Sequence, residues 1–269
     1  MKSLAHENNH RRQRRLRADG STRDPACHED RDLKIGAAID SAVHPGQGRD
    51  AGEVAGIGRL DVPIAASLAP HHRIDVVVDF STPEGTLAIL PTCMDRKIPI
   101  VVATTGFSEA QKKEVEAAGH HTAVLVSPNM SLVVNVLFKL VKEAASILRD
   151  KGFDVEIVER HHRFKKDSPS GTALHFARII QEAMGEMPVR HGREGQVGER
   201  PSKEIGMHAI RAGDNVGEHT IIFSTLGETM ELVHKGHTRD AYVFGALQAA
   251  KFLANQPAGR YTMNDVLGL

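Results

Sequence analysis

The chain has 269 residues, enough for two domains or one large α/β unit. Its 34 Lys and Arg balance 34 Asp and Glu, so no net charge draws it toward nucleic acid or a membrane surface. Hydrophobic residues make up 41% of it, and no run reaches the roughly 18 apolar residues that suggest a bilayer span. A globular protein with neither nucleic-acid nor membrane partner is expected. Aromatic residues are only 4% and Trp is absent, which disfavours base stacking on exposed rings. Cys27 and Cys93 form no CxxC pair and no disulfide framework, in keeping with a reducing, cytoplasmic setting.

Residues 1–31 are poor in apolar side chains and carry the basic run Arg11-Arg12-Gln13-Arg14-Arg15-Leu16-Arg17. With no apolar segment they are not a signal peptide. A solvated tail is the ordinary reading of such a run; a nucleic-acid arm or an organellar presequence is a weaker one. Pattern begins at Leu33. The segment Ile35–Ile39 reads as a short strand ending in Asp40, and residues 44–58 as a Gly-rich loop.

Asp75-Val76-Val77-Val78-Asp79-Phe80 has the apolar run of a buried parallel strand. Ser81-Thr82-Pro83-Glu84 then offers a hydroxyl cap with Pro and Glu in the first turn of a helix running to about Arg96. Residues 98–103 form the next strand, Thr104-Thr105-Gly106-Phe107 a turn, 108–118 a polar helix and 123–126 another strand before the loop at Ser127-Pro128-Asn129. Strands alternating with helices predict a parallel sheet with right-handed crossovers.

Val133, Val136, Leu137, Leu140, Val141, Ala144 and Leu148 fall on one face of a helix at the 3.6-residue period. The grammar then changes. Residues 153–159 alternate as a strand does. Ser170 caps a helix whose inner face is Phe176, Ile179, Ile180 and Ala183 and which ends at Gly185. Three strands follow, over 204–211, 218–224 and 229–235, the last two joined as a hairpin through Leu226-Gly227-Glu228. A helix over 241–253 and a short tail close the chain. The second half therefore reads as an α+β domain with a mixed, mostly antiparallel sheet, beside an α/β parallel-sheet domain.

Reactive side chains are densest in Glu159-Arg160-His161-His162-Arg163-Phe164-Lys165-Lys166-Asp167-Ser168-Pro169-Ser170-Gly171-Thr172. The segment leaves a strand and ends in a helix N-terminus, where backbone N–H groups are free and the dipole is positive. With Arg163, Lys165 and Lys166 it suits a small substrate bearing carboxylates, and a histidine beside it can act as general acid. A solvated basic loop is the bland alternative. A metal site is not expected, because no carboxylate or Cys stands at helical ligand spacing from the two histidines.

The run Glu159 through Ala173, of the form E-x-H-H-x-x-K-x-D-x-P-S-G-T-A, resembles the signature of the dihydrodipicolinate reductase (4-hydroxy-tetrahydrodipicolinate reductase) family. Val78 to Thr86, Thr104 to Phe107, Ser127 to Ser131, Gly192 to Gly195, Arg211 to Gly213 and Gly217 to Thr220 resemble further family blocks in family order. The resemblance runs from about Leu33 to the C-terminus. It implies hydride transfer from NADH or NADPH to a cyclic unsaturated dicarboxylate in lysine and diaminopimelate biosynthesis, by a cytoplasmic homotetramer. It also implies a Rossmann-like nucleotide domain over 1–131 completed by 240–269, and a substrate-binding and oligomerisation domain over 132–239.

By motif position, the resemblance makes His161 the proton donor and Lys165 the second catalytic cation. His162, Ser170, Gly171 and Thr172 become substrate contacts. On the cofactor side it marks Ala103, Thr104 and Thr105, then Ser127, Pro128, Asn129 and Met130, in loops at the carboxyl ends of strands. Asp40 stands where an acidic residue binds the adenosine ribose. Ser41 stands where NADPH users often carry Arg, and Ala103 where relatives usually carry Gly.

One block departs. The family opens with a strand and a G-x-x-G-x-x-G loop that brings backbone against the pyrophosphate. Here residues 9–20 read Asn9-His10-Arg11-Arg12-Gln13-Arg14-Arg15-Leu16-Arg17-Ala18-Asp19-Gly20, with neither glycine fingerprint nor readable first strand. Lost pattern at preserved length reads as a locally shifted reading frame, or as a divergent relative that binds ligand or assembles without full activity.

Overall fold

In the computed structural model, residues 2–8 and 32–269 are described. They divide into two compact units, one of Met1–Met130 with Tyr242–Leu269, the other of Ser131–Ala241.

The first unit is built on a seven-stranded sheet: β1 (Lys2–Asn8), β2 (Leu33–Ile39), β3 (Ile64–Ala65), β4 (Val76–Phe80), β5 (Ile100–Val102), β6 (Ala123–Val126) and, from the chain's end, β12 (Gly259–Tyr261), in the order β12-β6-β5-β4-β1-β2-β3. The β12–β6–β5–β4 ladders and the β2–β3 ladder are parallel. Such strands are covered on both faces and so are apolar throughout, which is why Val76, Val77 and Val78 can follow one another and all be buried.

No first strand is readable over residues 9–20, but one stands before them. Lys2–Asn8 lies between β2 and β4, antiparallel to both. Two buried strands left unpaired would bury N–H and C=O groups without partners. Ladder bonds come from backbone, so a segment without apolar pattern can fill the gap, and an antiparallel ladder satisfies it as well as a parallel one.

Helices α1 (Ala51–Ala55), α2 (Pro83–Arg96), α3 (Glu109–Ala117) and α7 (Met263–Leu267) belong to this unit. Thr82 caps α2, and Ser108 with Gln111 forms a capping box on α3. Ile89, Leu90 and Cys93 of α2 and Val115 of α3 pack on Val77, Ile100, Val102 and Val124. The Gly-rich loop contains α1, organised by Asp50, whose carboxylate accepts from the N–H groups of Gly52, Glu53, Leu60 and Val62 at 2.9, 3.1, 3.0 and 3.0 Å.

The second unit holds a five-stranded mixed sheet of β7 (Asp154–His161), β8 (Val189–His191), β9 (Ile205–Arg211), β10 (Gly217–Thr225) and β11 (Glu228–Gly236), ordered β11-β10-β7-β9-β8. The long β10–β11 and β10–β7 ladders are antiparallel; β9 runs parallel to β7 and β8. Helices α4 (Leu132–Leu148) and α5 (Gly171–Met184) cover one face. Val134, Leu137, Phe138 and Val141 of α4 and Phe176, Ile179 and Ile180 of α5 meet Val155, Ile157, Ile205, Met207, Ile221 and Phe223 of the sheet. A last helix, α6 (Asp240–Leu253), leads out of this unit into the first.

Candidate active site

Alternation along β7 builds the site. Side chains of a strand point to opposite faces in turn, so the buried row Val155, Ile157 continues through Glu159 and His161. Two polar residues thus extend a hydrophobic row. Register brings His219 of β10 opposite Glu159, and Arg211 of β9 opposite His161.

A buried carboxylate is costly unless paired and fully hydrogen-bonded. Glu159, 0% exposed, meets that demand with four donors. Its Oε1 accepts from Arg211 Nη2 at 2.6 Å and from the Ser170 backbone N–H at 3.0 Å. Its Oε2 lies 2.9 Å from Arg211 Nη1 and 2.5 Å from His161 Nδ1. Burial alone would raise the carboxyl, but the hydrogen bonds from His161 and Arg211 outweigh it and hold Glu159 down at about 2. Glu159 is therefore an anion at any ordinary pH.

His161 sits edge-on to His219, with ring centroids 5.4 Å apart. Its Nε2 points at Gly217, where even a methyl group would come within 3.0 Å. His219 Nε2 pairs with Ser170 Oγ at 3.2 Å. Burial, reinforced by the charges of His161 and His234, lowers His219 to about 3, so it stays neutral.

The turn after β7 carries the cations. Lys165 Nζ lies 2.8 Å from Asp167 Oδ1, and Arg211 Nη2 donates to the Asp167 carbonyl at 2.8 Å. His162 Nε2 is 3.4 Å from Arg239 Nη2. Burial and then the Arg239 charge lower the His162 imidazole from its usual range. Ser170 caps α5 by accepting from the Ala173 N–H at 3.2 Å, and Gly171 is open to solvent with Thr172 half-buried beside it. His161, His162, Lys165, Ser170, Gly171 and Thr172 are thus brought together on one edge of the second unit. His161 is the last residue of the strand and not, as its sequence position suggests, part of the loop after it.

Buried side-chain atoms without a hydrogen-bond partner concentrate on these elements: His162 Nδ1, Arg211 Nε, Asn215 Oδ1, His219 Nδ1 and His234 Nδ1. Buried polar atoms in native proteins are overwhelmingly paired, so such a cluster marks a place where water or a ligand completes the bonding. Among the described residues no group of three His, Cys, Asp or Glu is arranged to hold a metal ion.

The cofactor candidates lie in the first unit. Asp40 follows β2 and lines a cleft of about 190 Å³ with Ser41, Ser67, Leu68, Ser81, Gly85 and Ala88. Its Oδ1 accepts from the Ser41 N–H at 2.7 Å, and its Oδ2 is 3.8 Å from His44 Nε2. Thr104 is buried, and its hydroxyl stands 3.1 Å from Asp79 Oδ2 and accepts from the Ser81 N–H at 2.9 Å. Ala103 is half-buried and Thr105 exposed. In the next loop Ser127 Oγ donates to the Asn129 carbonyl at 2.8 Å, Met130 is buried and Pro128 is open.

Three further residues emerge that composition alone does not single out: Glu159, Arg211 and Asp79. Asp79 ties the ends of β4 and β5 together, taking bonds from Thr86, Thr104 and the Ser81 N–H. Burial pushes its carboxyl up against those hydrogen bonds. All three lie inside the motif blocks; the missing signal is which partner each would meet.

Residues 20–130 match the family model described as "Dihydrodipicolinate reductase, N-terminus", and residues 133–267 match "Dihydrodipicolinate reductase, C-terminus". A 4-hydroxy-tetrahydrodipicolinate reductase of Syntrophotalea carbinolica is 45% identical over 249 residues, 91% of this chain and 92% of the relative. Among solved structures, a dipicolinate-bound dihydrodipicolinate reductase from Paenisporosarcina sp. TG-14 shares the fold, with a TM-score of 0.65 at 22% identity over 85% of this chain and 87% of that one. The protein belongs to the dihydrodipicolinate reductase family.

Proposed function

We propose that the chain reduces 4-hydroxy-tetrahydrodipicolinate to tetrahydrodipicolinate with a nicotinamide cofactor, in diaminopimelate and lysine biosynthesis. The observation that carries this reading is one strand end and the turn after it, which together hold both an orientable acid and an anion site: His161 backed by Glu159, with Lys165 and the N-terminus of α5 beside it. The alternative of a ligand-binding relative without chemistry has no support among the described residues, where this turn is complete.

The cofactor fits the first unit by donor chemistry. A buried carboxylate at the mouth of a cleft after β2 suits a ribose diol, which donates two hydroxyl hydrogens, and Asp40 is so placed. Thr105 and Pro128, with half-buried Ala103, offer surface at the carboxyl ends of β5 and β6, where open α/β sheets bind ligands. Bound nicotinamide supplies the hydride.

The remaining steps belong to this chain. Lys165 and the helix start at Ser170, Gly171 and Thr172 hold the substrate carboxylates, with His162 alongside. Hydride addition to an unsaturated imine builds electron density that a proton must quench. His161 Nε2 donates that proton, while Nδ1 stays bonded to Glu159.

The enzyme works in the cytoplasm as a homotetramer in this reading. Supporting assembly, α4 and β11 leave an apolar cleft of about 460 Å³ lined by Leu140, Ile147, Phe153, Met230 and Leu232. No helix among the described residues is long and apolar enough to cross a membrane. The test is a coupled assay with the synthase product, following loss of nicotinamide absorbance. Substrate-dependent oxidation, competitively inhibited by dipicolinate, is expected. No oxidation and no dipicolinate binding would overturn the assignment.

A further inference from the structure

We propose that Glu159 and Arg211 form a positioning pair that fixes the tautomer and orientation of His161, and so decides which ring nitrogen gives up the proton. The inference rests on the reading of His161 as proton donor, and it begins from burial. Glu159 lies in the row that otherwise holds Val155 and Ile157, a place where an apolar side chain would cost nothing. A buried ion pair is weak evidence for stability, since well-packed apolar residues do as well or better. Its presence therefore asks for another account.

The bonding supplies one. Both carboxylate oxygens are fully used, and each carries one bond from the Arg211 fork, at 2.6 and 2.9 Å. A guanidinium bound through two parallel bonds fixes the plane of the carboxylate as well as its place. Once that plane is fixed, Oε2 can meet His161 only at Nδ1, 2.5 Å away. An acceptor with permanent charge requires Nδ1 to carry hydrogen in both the neutral and the charged ring, so Nε2 is the nitrogen that loses and regains the proton. Gly217 leaves room at Nε2, where a Cβ would press at 3.0 Å.

The same carboxylate reaches further. Its Oε1 takes the Ser170 N–H at the cap of α5, and Arg211 also binds the Asp167 carbonyl in the turn that carries Lys165. One ion pair thus registers the proton donor against the anion-holding helix start and the lysine. The charged and titratable groups around His161 are Glu159 on its own strand, Arg211 on β9, His219 on β10 with His234 behind it on β11, and His162 and Lys165 in the following turn. His219 is held neutral and gives its Nε2 to Ser170, which leaves Glu159 as the anion bonded to the ring.

Two arms test the pair on the full-length protein. The first needs no variant and no turnover: nitrogen-15 spectra of the wild-type imidazole rings across a pH titration. For His161, Nδ1 should remain protonated throughout while Nε2 titrates. A neutral ring with its hydrogen on Nε2 would overturn the proposal, whether or not the chain proves to be a reductase. The second arm is Glu159→Gln, which keeps the shape but turns one of the two acceptor oxygens into an amide donor. Its kcat should fall by about 10²-fold or more, the range a positioned general acid contributes. The limb of the pH–kcat profile belonging to the acid should move. Arg211→Lys, which keeps the charge but not the fork, should lose less. If Glu159→Gln or Arg211→Lys folds and keeps the wild-type kcat and pH profile, the pair is merely structural and the proposal fails. Should Glu159→Gln not fold, Arg211→Lys and the wild-type spectra still decide.

Discussion

Lys165 Nζ stands 2.8 Å from Oδ1 of Asp167, so the lysine assigned to a substrate carboxylate is already paired within its own turn. The hydrogen bond from Lys165, more than the opposing effect of burial, holds the Asp167 carboxyl below its usual range. A substrate carboxylate must compete with that partner. Asp167→Asn should therefore tighten dipicolinate binding and lower KM. Exposed ion pairs of this kind are worth about 0.2–1 kcal/mol, which corresponds to about 1.5–5-fold in affinity. Calorimetry with dipicolinate checks it. Weaker binding would mean that Asp167 instead holds Lys165 in its binding pose.

His161 at the end of β7 and His162 and Lys165 in the turn after it should separate kinetically. His161→Gln should lower kcat by about 10²–10⁴-fold, because proton donation matters only as the transition state forms. Lys165→Ala should lower kcat and raise KM together, since the carboxylate contact proposed for it would act in ground and transition states alike. His162→Gln should be milder and mainly raise KM. Steady-state kinetics, with circular dichroism to verify folding, distinguishes these from surface residues. A near wild-type kcat in His161→Gln removes the general acid from the mechanism.

Much of this was legible in the chain, and the rest was not for definite reasons. Local signals sufficed where one short segment carries its own physics: Thr82 before Pro83 starts α2, and Ser170 starts α5. The end of β7 was not readable, because its buried row passes from Val155 and Ile157 to Glu159 and His161 and the hydropathy alternation stops two residues early. β3, β8 and β12, of 2, 3 and 3 residues, are too short to show a period. The bond between Glu159 and Arg211 spans 52 residues and depends on the register of β7 against β9, which no local pattern encodes.

Cofactor choice should follow Asp40. Its buried carboxylate at the cleft accepts the hydroxyls of an unphosphorylated ribose and repels a 2′-phosphate, and Ser41 offers no cation to offset that. His44 Nε2, 3.8 Å from Asp40 Oδ2, is the neighbouring side chain that could relieve the repulsion when protonated. NADH should be preferred, or the two cofactors used nearly alike, and Asp40→Ala should move the ratio of the two kcat/KM values toward NADPH. A strong NADPH preference in the wild type contradicts this.

Acid should weaken the second unit before neutral or mildly alkaline conditions do. Glu156 lies on the sheet face opposite Glu159. Burial would raise its carboxyl, but bonds from Arg193, Arg200 and His208 hold it at about 2 against an ordinary 4.5. A carboxyl depressed in the folded state stabilises that state above the unfolded value, and the gain is lost as pH falls toward the folded value. Both Glu156 and Glu159 have folded values of about 2, so stability should decline progressively from about 4.5 down to 2. Glu156→Gln should be less stable at neutral pH yet lose less on acidification. Denaturant midpoints measured across that range test it, and parallel curves for the two proteins would rule it out.

The final prediction concerns residues 9–20, which hold no glycine fingerprint and lie outside the described residues. A pyrophosphate is bound in this fold class by backbone N–H groups that glycine lets approach, at the end of the first strand. The run Arg11, Arg12, Arg14, Arg15 and Arg17 brings basic side chains into this stretch of sequence but none of the glycines that so close a backbone requires. Hydrogen bonds to a charged group contribute about 1.5–3 kcal/mol each, so restoring even one should tighten NADH about tenfold or more. A chain whose residues 1–31 are replaced by a family-type strand, glycine loop and helix should bind NADH more tightly and oxidise it faster with substrate. Dipicolinate affinity should be unchanged, because Lys165 and the start of α5 belong to the other unit. Titration of NADH fluorescence, beside kcat/KM for both chains, makes the comparison. Equal NADH affinity and equal rates would show that this chain binds the pyrophosphate without a glycine loop.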